Sequence, residues 1–257
     1  MKIEILGCSG GIGNGLKTTT FLLDEQLLVD AGTGVELLSL DRMLQIRDVV
    51  ITHSHLDHIV GLPLMLATIY DQHKHPIDLY ALPEVITALQ NHIFNWTVWP
   101  DYTTLPEERP IIRLHPINVG DQLKLQGKDI KVLPAAHPTP TVGYFISNGE
   151  NSFAFTGDNG INDALWPILN TCKPDLLIID VSFTDEVDEL ARLSGHLTPS
   201  HLADQLASFT HPARVMITHL KPGFEDTIMQ QCRQLLPDWQ VDRLHHGDIL
   251  NLPVCPR

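Results

Sequence analysis

The sequence predicts an α/β fold in which two sheets pack together under outer helices. Short apolar runs bounded by Gly- and Pro-rich turns recur in both halves of the chain, and helical stretches intersperse among them. The composition agrees: 257 residues, 43% hydrophobic and 19% charged, can bury a sizeable core and do not describe a disordered chain. No repeat, low-complexity tract or compositional break marks a linker, so residues 1–257 read as a single domain.

Run 2–6 alternates polar and apolar residues as a half-buried strand does, and runs 20–23 and 27–30 follow as further strands. The glycine-rich turn 10–15 lacks the GxxxxGK[ST] pattern of a phosphate loop. Residues 35–40 and 62–70 look helical, 49–52 and 77–81 are apolar strands, and 83–94 is a helix with Pro83 in its first turn. Residues 95–110 contain Trp96, Trp99, Tyr102 and three prolines, and read equally as an ordered lid or as a surface-packing or dimer segment. In the second half, strands fall at 130–133, 142–146, 153–155, 176–180, 215–218 and 249–252, and helices at 164–169, 199–208 and 226–235.

Charge and cysteine usage exclude several classes. Seventeen Lys and Arg stand against 31 Asp and Glu, a net −14, which argues against a general binder of nucleic-acid polymers. No apolar run reaches membrane-spanning length and the first residues do not form a signal peptide, so no membrane partner is expected. Cys8, Cys172, Cys232 and Cys255 are far apart without a CxxC pair, which predicts free thiols in a reducing cytoplasm rather than disulfides or a cysteine zinc site.

The anomaly is histidine, at 14 residues. Thr52-His53-Ser54-His55-Leu56-Asp57-His58 directly follows an apolar strand. In extended backbone His53 and His55 point the same way and can reach one ion, while Asp57 and His58 follow at the turn and can face a second. Two ions need more ligands, and three further polar residues cap apolar runs: His137 after 132–136, Asp158 after 153–157 and His219 after 215–218. Singly each would read as a turn residue; in this order they form a pattern.

That pattern resembles the metallo-β-lactamase superfamily across essentially the whole chain: HSHLDH, a single His, a Thr-Gly-Asp and a strand-terminal His, in order. Within it the chain most resembles the class II cyclic-nucleotide phosphodiesterases and their bacterial relatives, through His53-Ser-His-Leu-Asp-His-Ile-Val-Gly-Leu-Pro63, Leu193-Ser-Gly-His-Leu-Thr-Pro199 and Ile217-Thr-His-Leu-Lys-Pro-Gly223. The resemblance implies a four-layer αβ/βα sandwich. It implies one metal on His53, His55 and His137, a second on Asp57, His58 and His219, and Asp158 bridging both. Imidazole and carboxylate suit zinc, with manganese or iron as alternatives, and a bridging carboxylate holds two such ions roughly 3.5–4 Å apart.

Two cations would generate hydroxide from a shared water near neutral pH and neutralise the phosphoryl oxygens. His196, outside the ligand set, resembles the non-ligand catalytic His of the phosphodiesterase and tRNase Z branches and is the candidate general acid. Asp180, ending the run 176–179, would orient it. The candidate catalytic residues are thus His196, Asp180 and Asp57, the last also a ligand. Ser9 and Ser182 stand in no GxSxG context, which excludes a serine nucleophile. Thr18, Thr19, Thr20 and Asn159 are candidates to line the pocket, and Trp96, Trp99 and Tyr102 to stack on a base. The expected substrate is a small phosphodiester, 3′,5′-cAMP or a relative. The alternatives are a tRNase Z-like RNA 3′-processing nuclease, for which no basic arm is visible, a thioester, lactone or β-lactam hydrolase of the same fold, and a non-catalytic metal-binding protein.

Overall fold

A computed structural model of the chain describes residues 1–252; Cys255, one of the four expected thiols, lies outside them. Two mixed seven-stranded sheets form the frame. The first contains β1 (Lys2–Gly7), β2 (Thr20–Leu23), β3 (Leu27–Val29), β4 (Asp48–Val50), β5 (Ile77–Ala81) and β6 (Ile112–Pro116) in sequential order, with the last strand, β14 (Ile249–Asn251), outside β1. The second runs β7 (Gln122–Leu125), β8 (Lys128–Pro134), β9 (Val142–Ser147), β10 (Ser152–Phe155), β11 (Leu176–Asp180), β12 (Arg214–Thr218) and β13 (Val241–Arg243).

Side-chain alternation along the strands builds three apolar layers. Ile3, Ile5, Phe21 and Val29 of the first sheet meet Val132, Tyr144, Phe153, Phe155 and Ile178 of the second in the central layer. The other face of the first sheet, with Leu22, Leu28, Val49 and Leu79, packs under α1 (Leu40–Met43), α2 (Leu56–Ile59), α3 (Gly61–Ile69) and α4 (Pro83–His92). The other face of the second sheet, with Leu177, Ile179 and Ile217, packs under α5 (Leu165–Cys172), α7 (Pro199–Leu206) and α8 (Glu225–Leu235), with α6 (Asp188–Ser194) preceding α7. The result is the expected four-layer sandwich. Strands β10 and β11 are buried at every residue because sheet and helices cover both their faces, which is why they read as continuous apolar runs.

Three strands were not anticipated from the sequence: β6, β7 and β13. All three sit at sheet edges, where one side stays wet and no apolar run is needed. Helix α6 was not anticipated either, its charged sequence burying only Ala191. The expected helix at 35–40 is instead a 3₁₀ turn over Thr33–Leu37, interrupted where the Ser39 hydroxyl accepts the Arg42 N–H and caps α1. Part of segment 95–110 is packed against the helix layer, while Trp96 is exposed. Tyr102 is buried and stacked on Tyr70 at 5.4 Å, and the Trp99 indole donates to the Pro63 carbonyl. Of the three aromatic rings expected to stack on a base, those two are committed to the helix layer. No described helix is long and apolar enough to cross a membrane, and Cys8, Cys172 and Cys232 are free thiols.

The fold positions the site by bringing the carboxyl ends of strands from both sheets to one edge of the sandwich. Backbone bonds tie the sheets together there: Val142 N–H donates to the Thr52 carbonyl and His219 N–H to the Cys8 carbonyl. The Tyr144 hydroxyl, wholly buried, donates to the Ile51 carbonyl at 2.7 Å.

Candidate metal centre

Five of the seven expected ligands lie just past a strand end and the other two in a short helix. His53 and His55 follow β4, and Asp57 and His58 occupy the first turn of α2, the element into which HSHLDH folds. His137 follows β8, Asp158 follows β10, and His219 follows β12 with a left-handed φ of 63°. All seven converge. The ligand-type atoms of His53, His55, His137 and Asp158 lie within 4.8 Å of one another, and so do those of Asp57, His58 and His219. Asp158 stands between the two groups: its Oδ1 is 3.2 Å from His58 Nε2, and its Oδ2 is 3.6 Å from His53 Nε2 and 3.4 Å from His219 Nε2.

The ring nitrogens that face inward are fixed by what their other nitrogens touch. His58 Nδ1 lies 2.7 Å from Asp30 Oδ2, His137 Nδ1 lies 3.0 Å from the Gly195 carbonyl, and His219 Nδ1 lies 2.9 Å from Ser182 Oγ. His55 is turned the other way, with Nε2 2.9 Å from Thr139 Oγ1 and Nδ1 facing His137 Nε2 at 3.4 Å. Three of these imidazoles therefore present Nε2 to the centre, and His55 presents Nδ1.

Whether cations fit is tested by the buried atoms. His53 Nε2 and His58 Nε2 are buried with no hydrogen-bond partner, although both point at Asp158. Buried polar atoms normally have partners, and two orphaned imidazole nitrogens beside a buried carboxylate are what a cation would satisfy. The nitrogen and carboxylate donor set suits divalent transition metals, so the residues fit divalent cations.

Electrostatics point the same way. Burial pushes His53 well below the ordinary histidine value, with the charge of His58 adding to it, and burial also lowers His55 and His137. Burial opposes the charged forms of His58 and Asp158 too, but there the mutual attraction wins. Asp158 and Asp30 hold His58 well above its ordinary value, and His219, His58 and His53 hold Asp158 well below the carboxylate range. For Asp57, the His219 hydrogen bond and the His58 charge likewise outweigh burial and keep the carboxyl low.

Beside this cluster lies the pair expected to move a proton. Asp180 Oδ2 is 2.6 Å from His196 Nδ1, and both side chains are buried. Burial disfavours the imidazolium, but the Asp180 charge and hydrogen bond outweigh it and raise His196 above its ordinary value. The His196 ring stacks on His219 at 5.1 Å and meets His137 edge-on at 5.1 Å. Gly195, in left-handed backbone at φ 70°, turns the chain out of α6 and delivers both its own carbonyl to His137 and the next side chain to the site.

Of the other pocket candidates, Thr18, Thr20 and Asn159 are tied into the frame, and the Thr19 hydroxyl is buried without a partner. Thr18 is bonded to Thr33, and the Thr20 hydroxyl donates to the Thr19 carbonyl. Asn159 braces the site from behind: its Oδ1 accepts Ala136 N–H at 2.8 Å and its own N–H donates to Asp180 Oδ2 at 3.2 Å. Sequence alone does not single out Asp30, Thr52, Ser182 or the carbonyl of Gly195. The signal available for Asp30 is a carboxylate ending an apolar strand, the same signal that marks Asp180.

Residues 25–220 match the family described as “Beta-lactamase superfamily domain”. Over 212 residues the chain is 29% identical to a Yersinia pestis protein named “Probable 3',5'-cyclic-nucleotide phosphodiesterase”, a match covering 72% of this chain and 60% of that protein. The chain thus spans less than two thirds of that relative. It is 23% identical over 297 residues to ribonuclease Z of Metallosphaera sedula, covering 92% of this chain and 94% of that one. Unliganded yeast PDE1 has the same fold, with a TM-score of 0.84 at 20% identity over 98% of this chain and 99% of that one.

Proposed function

The chain belongs to the beta-lactamase superfamily, and on the geometry of its site we propose that it is a metal-dependent phosphodiesterase that opens a 3′,5′-cyclic nucleotide to the nucleoside monophosphate. The observation that carries this reading is the Asp180–His196 pair set against the ligand cluster. A phosphodiester's alkoxide leaves poorly without a proton, and this imidazole is held where it can donate one.

In this reading His53, His55 and His137 would hold one divalent cation and Asp57, His58 and His219 a second, with Asp158 available to both. Zinc is the metal we favour, with manganese or iron as alternatives. Bound cations supply an activated water and neutralise charge on the phosphoryl oxygens. The protein does the rest. His196 Nδ1–H donates to Asp180, so the transferable proton sits on Nε2 and the carboxylate steadies the imidazolium before transfer. Asp180, wholly buried and held by the Asn159 N–H, keeps that ring from turning. The stacked His219 ring and the edge-on His137 ring fix the plane of His196 relative to the cluster.

The named phosphodiesterase relative supports the substrate class. The near full-length likeness to a ribonuclease Z supports RNA 3′-processing as a second reading. The net charge of −14 weighs against it, because a tRNA precursor is a long polyanion and a cyclic nucleotide carries a single phosphodiester charge. Metal-loaded protein offered cAMP, cGMP and a tRNA precursor separates the two. The reading expects monophosphate from a cyclic nucleotide and an intact precursor; cleaved precursor with no monophosphate would replace it with the second.

A further inference from the structure

Ser182 lies at the junction of the two halves of the site and neither half accounts for it. Its side chain is wholly buried. Its Oγ lies 2.7 Å from Asp180 Oδ1, 2.9 Å from His219 Nδ1 and 2.8 Å from the His219 carbonyl, with His196 Nδ1 at 3.3 Å. We propose that Ser182 is a positioning residue that sets the tautomer of His219 and, through the same hydroxyl, holds Asp180 against His196.

The proton inventory drives the assignment, and it rests on the cation site proposed above. A His219 that offers its Nε2 lone pair to a cation must carry its proton on Nδ1, and that N–H needs an acceptor. The Ser182 oxygen is in place to accept it. The hydroxyl has one hydrogen of its own, and the charge-assisted acceptor within reach is Asp180 Oδ1. Asp180 Oδ2 is then left for His196 and for the Asn159 N–H. Each link of the chain His219–Ser182–Asp180–His196 then joins a donor to an acceptor, and each is buried. The other fixed ligands are handled differently: His58 is held by a carboxylate and His137 by a backbone carbonyl, and neither of those groups hydrogen-bonds to the Asp180 or His196 side chain. At His219, by contrast, one group serves both a ligand and the acid pair.

Removing the hydroxyl strands a buried N–H and a buried carboxylate oxygen together. The test is Ser182→Ala and Ser182→Thr, compared with wild type by zinc titration against a competing chelator, by imidazole nitrogen NMR of the zinc-loaded proteins and by thermal melting. We expect Ser182→Ala to weaken the cation held by His219 by about 10- to 100-fold while the cation on His53, His55 and His137 keeps its affinity. The His219 Nδ1–H resonance should broaden or move while that of His58 stays, and Ser182→Thr, which keeps the hydroxyl, should restore both. A folded Ser182→Ala with unchanged zinc affinity and an unchanged His219 resonance overturns the proposal. So does an equal loss at both cation sites that tracks a fall in melting temperature and is not restored by threonine. None of these readouts depends on the substrate, so a protein that hydrolyses no cyclic nucleotide still tests the role of Ser182.

Discussion

Asp30 Oδ2 lies 2.7 Å from His58 Nδ1, and neither side chain has any exposure to solvent. The carboxylate is held in turn by Thr52, whose N–H donates to Oδ1 at 2.8 Å and whose hydroxyl donates to Oδ2 at 2.8 Å. Asp30 directly follows β3, which pairs with β4, so the sheet itself fixes the orientation of a ligand 28 residues further along the chain. Replacing Asp30 by alanine leaves the His58 N–H with only the Thr52 hydroxyl, 3.4 Å away, to hold the ring. We expect a loss of about 10- to 100-fold in metal affinity, measured by chelator competition. Unchanged affinity in a folded Asp30→Ala protein would remove Asp30 from the account.

Gly195 is the second supporting position with a sharp test. At φ 70° an L side chain is strained, and a Cβ there would come within 2.4 Å of Pro138 Cδ and 3.1 Å of His137 Nδ1. Gly195→Ala should cost about 1–2 kcal/mol from the backbone alone, and it should push His137 off its ligand position. Denaturant unfolding together with metal analysis checks both effects. A variant with wild-type stability and full metal content would contradict them.

Metal loading should release protons. Against the penalty of burial, Asp158 and Asp30 raise His58 well above its ordinary value, which favours its charged form in metal-free protein. A cation displaces that proton, and apparent affinity therefore falls as pH falls. Isothermal titration of zinc in two buffers of different ionisation enthalpy measures the release; identical heats in both would mean that no proton leaves.

Away from the site, Arg42 gives a stability prediction with a definite sign. It donates to Glu4 at 3.0 and 2.7 Å and to Glu25 at 2.8 Å. The Arg42 hydrogen bond holds the Glu4 carboxyl below its ordinary value, and a hydrogen bond from Lys2, then one from Arg42, does the same for Glu25. A carboxyl lowered by folding stabilises the protein above its unfolded value and loses that contribution as pH falls through the folded one. Arg42→Ala should therefore be less stable than wild type near neutral pH, and the deficit should shrink in acid. Urea unfolding at several pH values tests it, and a deficit that stays constant into acid would contradict the assignment.

The ligands legible in the sequence were those whose chemistry is local. His53, His55, Asp57 and His58 fall within six residues and stand out by type alone. His137, Asp158 and His219 are scattered strand-end residues, and it took their order along the chain, and the family it resembles, to join them. Asp30, Ser182 and the Gly195 carbonyl were not legible. An aspartate after a strand or a serine in a turn has an ordinary local explanation, and the partners that give them meaning are brought in by sheet pairing and helix packing. The same reasoning covers the fold. Buried strands announced themselves as apolar runs, whereas the edge strands β6, β7 and β13 carry mixed sequences that only their neighbours define.

The most direct measurement is the hydrolysis of 3′,5′-cAMP and cGMP by zinc- or manganese-loaded protein, wild type beside His196→Ala. The expected result is nucleoside monophosphate from the wild type and a rate lower by about 10²- to 10⁴-fold in the variant, with metal content unchanged. Fully loaded wild-type protein that forms no monophosphate, or a His196→Ala variant that works at the wild-type rate, would contradict the account.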